Sequence, residues 1–430
     1  MKRLFYFLLC LILCVTLFSC DRTPDGKENP DDSIIPETPD SPETPDSPET
    51  PDIPETPDIT ENSDDKDLLE EIAKDGLIFI PLENNTYGVR AEEGLSITSL
   101  TIPTEINGTA VTCILSYGFG NIYDLTDVQI PEGITHIDSY AFYGCSSITE
   151  ISLPESVVFI GAEAFRGCSS LERVSLGEKV GIIGELAFSS TAITEISLPE
   201  SLTTIGERAF ARCRSLLSVE LPSGLTKLGS GAFSECVSLG EIKIPDSLTV
   251  IEPETFSGCS SLATVSIGGG VKKIGESAFN ACTSLTRITI PDGVTEIGSS
   301  AFFYCSELRE VVIGNGVRII GNSVFDTCEK LEDLTIGSSV NRIGNKAFYG
   351  CIKLKSVFLP KSVSYIERWA FYECEGLTEV IFENPNYWWY SSESDASSGF
   401  EISVSVLSDY SSAASFLTDV YHNYYWRRGT

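Results

Sequence analysis

Phenylalanine recurs along this chain at a fixed interval. It stands at positions 119, 142, 165, 188, 210, 233, 256, 279, 302, 325, 348 and 371, and every step is 23 residues except that from Phe188 to Phe210, which is 22. A period of this length is one supersecondary unit repeated, and it restricts the chain to a fold of stacked coils. One clean unit is "LTRITIPDGVTEIGSSAFFYCSE", Leu285 to Glu307, with the skeleton L-x-x-I-x-I-P-x-x-V-x-x-I-G-x-x-A-F-x-x-C-x-x. Ile288, Thr289 and Ile290 alternate in, out, in, which predicts a short strand. Pro291 ends it, because proline donates nothing to a ladder. Other coils carry Gly177, Gly268, Gly314 or Gly337 in that slot, which also suits a turn. Val294 and Ile297 return to the core, Gly298 permits a close backbone approach, and Ala301 and Phe302 fill the far side. No single unit buries this much apolar surface, but stacked copies share one continuous core.

The skeleton resembles a leucine-rich repeat, specifically the BspA-like class of bacterial surface repeats. The resemblance covers roughly residues 76–430 and rests on the recurring L-x-x-I-x-I-P, I-G-x-x-A-F and F-x-x-C elements. Departures are local: Asp138, Glu252 and Glu367 replace the Gly after Ile, and Thr255 and Val324 replace the Ala before Phe. The resemblance implies a repeat solenoid with a β-strand ladder on the concave face and short helical or irregular segments on the convex face. It also implies a role in adhesion or in binding host or neighbour-cell proteins. Caps are expected at both ends, since a solenoid must hide its terminal core faces. "DGLIFIPLENNTYGVRAE", Asp75 to Glu92, reads as a β-hairpin around Asn84-Asn85, within an N-terminal cap and first irregular repeat over 66–118. The solenoid occupies 119–383. In the C-terminal cap, 384–430, Ala413, Phe416, Leu417, Val420, Tyr421 and Tyr424 stand at helical spacing.

The N-terminus has a different character. Lys2 and Arg3 precede the apolar run "LFYFLLCLILCVTLF", which is short for a membrane span and fits an export signal over 1–19. "LFSC", Leu17 to Cys20, resembles a bacterial lipobox, which implies lipidation at Cys20; an ordinary signal peptide or an uncleaved anchor are the alternatives. Residues 20–65 then read as a lipidated cysteine followed by a disordered stalk. The stretch from Pro36 to Asp58 is four copies of a PETPD-based hexapeptide, and Glu28 to Asp65 holds fourteen acidic residues with no Lys or Arg. Proline and like charges extend such a chain, which makes it a spacer or a passive linker. The expected location is the outer membrane or cell surface of a bacterium, with the lipid anchor as the sole contact with membrane.

Catalytic chemistry finds little support. The formal net charge of −33 repels nucleic acid and anionic lipid. Only His136 and His422 could serve a hydrolytic triad; His136 falls in a variable surface slot and His422 in the C-terminal cap. "GGG" at Gly268 to Gly270 is a turn in register with Gly293 and Gly316, with no Lys-Ser/Thr behind it. No catalytic residue, cofactor or metal is expected. Ten cysteines, Cys145, Cys168, Cys213, Cys236, Cys259, Cys282, Cys305, Cys328, Cys351 and Cys374, each follow the repeat Phe by three residues. They lack the paired close spacing of a zinc site. Equivalent neighbours above and below favour no particular disulfide, so a ladder of reduced, buried thiols is expected. "AFSSTAI", Ala187 to Ile193, lacks the cysteine and one residue, which predicts a tighter loop closing the gap.

Binding surfaces are legible as rows. The outward strand position runs Gln129, Ser152, Ser175, Ser197, Glu220, Lys243, Ser266, Thr289, Val312, Thr335, Phe358, Ile381. Its polar start turns apolar at Val312, Phe358 and Ile381, and "NPNYWWY" with Trp388 and Trp389 follows. This group is either a ligand patch or the seat of the C-terminal cap. Beside it runs a mostly acidic row from Asp127 and Glu150 to Glu379, normally a solvated face. The expectation is a monomeric surface adhesin or binding module for an extracellular protein or glycan. The alternative is a structural component of envelope or biofilm without a discrete ligand.

Overall fold

A computed structural model describes residues 70–392 and 399–429. The export signal, Cys20 and the stalk lie outside the described residues. Successive coils stack in parallel and in register. Residues such as Thr289, Val312 and Thr335 are direct neighbours on the strands Arg287–Ile290, Glu310–Ile313 and Asp333–Thr335. These strands form the first ladder, which begins at Ser99–Thr101 and ends at Glu379–Phe382. Their inward residues, Ile288, Ile290, Val311 and Ile313, are buried.

A second parallel ladder, absent from the single-strand reading of the repeat, is built by the V-x-x-I-G segment. Two-residue strands such as Glu296–Ile297, Ile319–Ile320 and Arg342–Ile343 pair coil to coil. Ile297, Ile320 and Ile343 point inward and are buried. The glycine that follows is fixed by crowding: a Cβ on Gly298 would lie 2.7 Å from the Glu276 backbone nitrogen. The second ladder is interrupted between Lys227–Leu228 and Val250–Ile251, at the coil where Glu252-Pro253 replaces this glycine step.

The rest of each coil is a pair of tight turns around the Phe. Residues two before and two after it adopt left-handed backbone, as at Ser300 (φ 57) and Tyr304 (φ 59). The Phe amide then donates to the next coil, for example Phe279 to the Ala301 carbonyl at 2.8 Å, so the backbone is paired on this side too. The twelve Phe rings stack along the axis with centroids 5.2–5.7 Å apart.

Both caps complete the second ladder's edges, which would otherwise present unpaired backbone. At the N-terminus, Leu77–Pro81 and Tyr87–Ala91 form the antiparallel hairpin, and the latter pairs with Thr109–Ile114. At the C-terminus the helical stretch is shorter than its spacing suggests. An α-helix spans Tyr410–Ser415, capped by Asp409, whose carboxylate accepts from the Ser412 amide at 2.8 Å. A wide turn, Phe416–Val420, follows, and Val420 is exposed rather than core. The chain then becomes a strand, Tyr425–Arg428, antiparallel to both Tyr365–Ile366 and Trp388–Ser391.

Candidate ligand-binding surface

The outward side of the first ladder runs the length of the solenoid as a row of short parallel sheets of two to four strands. At its N-terminal end lies a shallow groove of about 960 Å³, lined by Asp127, Gln129, Glu150, Ser152, Arg173 and Ser175 among others. Its charges are partly matched: Arg173 donates to Glu150 at 2.8 Å, and Gln129 donates to Asp127 at 2.9 Å. The same acidic row carries Arg287 on Glu310 at 2.8 Å further along. Such exposed pairs contribute little to stability and leave a polar, solvated surface.

At the other end the surface turns apolar. Phe358 and Ile381 are direct cross-strand neighbours on Ser356–Leu359 and Glu379–Phe382. Phe358 is 47% exposed, while Ile381 and Val312 are half-buried. The C-terminal helix packs against the Glu379–Phe382 strand but leaves the Phe358 ring open to solvent.

The two tryptophans do not join this patch, which corrects the grouping expected from sequence. They are neighbours on an extended strand, so their side chains point to opposite faces. Trp388 is 1% exposed: its ring meets Phe382 edge-on at 5.2 Å, and its Nε1 donates to the Asn384 carbonyl at 3.0 Å. Trp389 is exposed, but its strand belongs to the sheet of the second ladder, not to that of Phe358.

All ten repeat cysteines are buried and unpaired. Each Sγ lies 3.0–3.4 Å from the carbonyl oxygen of the Phe in the preceding coil, as Cys282 does from Phe256. Sequence reasoning missed this acceptor. Burial pushes the Cys145 thiol up to about 11 and the Cys305 thiol to about 12, away from nucleophilic or metal-binding thiolate. In the shortened coil the gap is not closed by a tighter loop. Thr191 fills the cysteine slot, donating to the Phe188 carbonyl at 2.9 Å and meeting Cys213 Sγ at 3.2 Å. Among the described residues, no group of three or more His, Cys, Asp or Glu is placed to hold a metal ion.

His136 is half-buried, not on an open surface slot. It sits beside Cys113 and Phe159 on the second ladder, its Nδ1 is 2.9 Å from Thr135 Oγ1, and burial lowers its pKa. The "GGG" turn is in register, and the Gly269 amide donates to Asp246 Oδ1 of the coil before at 2.7 Å.

Parallel coils, a Phe spine and a strand surface open to solvent define a leucine-rich repeat scaffold. The BspA type leucine-rich repeat region matches residues 91–214, 181–309 and 295–392, and the chain belongs to this family. Among solved structures, a leucine-rich repeat protein from Bacteroides ovatus is 29% identical with a TM-score of 0.59, and the match covers 72% of this chain and 88% of that one. A leucine-rich cell surface protein from Faecalibacterium prausnitzii is 26% identical with a TM-score of 0.48, covering 74% and 96% respectively. No curated protein sequence matches the chain.

Proposed function

We propose that this protein is a surface-anchored, non-catalytic binding module, an adhesin whose first-ladder surface takes a host or neighbour-cell protein or glycan. One observation carries this reading. Phe358 stands open beside Ile381 on a sheet surface whose other outward positions are mostly small and polar. An exposed apolar patch with a polar surround is the usual mark of an interaction site. Anchoring through a lipidated Cys20, with residues 20–65 as spacer, would present that surface to the exterior. Membership of a repeat family with a cell-surface relative supports the location.

The test uses the full chain in detergent against immobilised matrix proteins and a glycan array. Saturable binding to one such probe is expected, weakened about tenfold or more by Phe358→Asp at unchanged melting temperature, the loss typical of a central anchor. No binding across the array, or equal affinity of a folded Phe358→Asp protein, would overturn the reading.

A further inference from the structure

The second ladder continues into the C-terminal cap as one row of side chains on one face. Residues opposite each other across paired strands share a face. Here the register runs Arg342 to Tyr365, Tyr365 to Arg427, and Arg427 to Trp389. The row alternates cation and aromatic. The Arg342 guanidinium carbon lies 5.0 Å, and that of Arg427 5.7 Å, from the Tyr365 ring centre. Alongside, Arg368 lies 4.6 Å from the Tyr425 ring centre. Trp389 is 40% exposed and the Arg342 side chain 51%.

Among the described residues, the local charge has the opposite sign to the chain. Arg342, Arg368, Arg427, Arg428 and Lys361 gather here against Glu367, Glu383 and Glu401. Glu367 accepts from Arg342 Nη2 at 2.6 Å, Glu383 is 4.0 Å from Lys361, and Glu401 is opposite Trp389. Arg342 has five N–H donors and gives only Nε and one Nη to Glu367. Arg368 Nε is buried without a hydrogen-bond partner.

We infer that this strip binds a carboxylated polysaccharide. Planar guanidinium groups match carboxylates in a two-pronged geometry, and an open indole face accepts the apolar face of a pyranose. Four strands at about 4.8 Å spacing make a strip of roughly 14 Å, the reach of a short oligosaccharide. In a uronic-acid polymer each ring carries both a carboxylate for a guanidinium and an apolar face for the indole, a pairing that the phosphates of nucleic acid, set off its rings, do not offer. This site lies on the second ladder and stands independently of the Phe358 surface.

The probes are polygalacturonate, its fully methyl-esterified form and single-stranded oligodeoxythymidylate, titrated calorimetrically into the full chain in detergent. Polygalacturonate should bind saturably and more weakly as salt rises. Esterification, Arg342→Gln and Trp389→Ala should each weaken it about tenfold, the scale of one charge-assisted or aromatic contact, while Phe358→Asp changes nothing. Trp389→Ala removes an exposed ring and decides the matter if Arg342→Gln fails to fold. Absent binding, equal binding of the esterified polymer, tighter binding of the oligonucleotide, or full affinity in folded Trp389→Ala protein would each overturn the proposal.

Discussion

Cys282 stands for the ten repeat thiols. It is fully buried, and its S–H points at the Phe256 carbonyl 3.3 Å away. The residue is small, apolar and able to donate weakly; of the two slots without a thiol, Ile122 is purely apolar and Thr191 donates to Phe188 of its own coil instead. Cys282→Ala should therefore cost about 1–2 kcal/mol, the lost donor plus a small cavity, read as a fall in denaturant midpoint. Thiol-labelling reagents should leave most of the ten unmodified until denaturant is added; modification of the majority in the native protein would contradict the packing role. Gly298 tests backbone crowding. Its absent Cβ would meet the backbone of Glu276, which cannot rotate away, so Gly298→Ala should destabilise by about 1–3 kcal/mol.

At the scale of the coil, one side chain couples stability to pH. Asp326 follows Phe325 in the turn of its coil and is buried, with Ser323 as hydrogen-bond partner, Lys346 attracting it and Glu373 opposing its charge. Burial raises its carboxyl from 3.8 to about 6. Between those values the folded chain keeps a proton that the unfolded chain has released. The stabilisation by the protonated form is full below about pH 4 and is lost as pH rises towards about 6. Asp326→Asn should thus raise stability by about 1–2 kcal/mol at pH 7.5 and leave it nearly unchanged at pH 4, in paired chemical melts. An equal effect at both values would remove Asp326 as the cause. The same scale shows what periodicity hides. A two-residue strand such as Glu296–Ile297 leaves almost no alternation to read, so the second ladder emerged only from stacking. The helical spacing from Ala413 onward is real, but it stops at Val420 because the open edge at Tyr365–Ile366 takes Tyr425–Arg428 as a partner strand.

At the scale of the whole molecule, anchoring and presentation can be tested apart from binding. Cys20→Ser should move the protein from the membrane fraction to the soluble fraction, and unchanged retention would remove the lipid anchor. The Phe spacing in the sequence already specified the coil and its core, since each coil repeats the same local contacts with its neighbours; it missed the first turn, whose strand Ser99–Thr101 precedes the Phe row. It also placed Val312, Phe358 and Ile381 on one outward row, because a strand alternates its faces strictly. The division of Trp388 from Trp389 was decided elsewhere. "NPNYWWY" belongs to no repeat, and nothing local says that it becomes a strand; only pairing with Tyr425–Arg428, far along the chain, sends one ring into the core and the other to the second ladder's surface. Periodic segments carry their structure in their own spacing. The caps do not, because their partners are edges that exist only once the stack has formed.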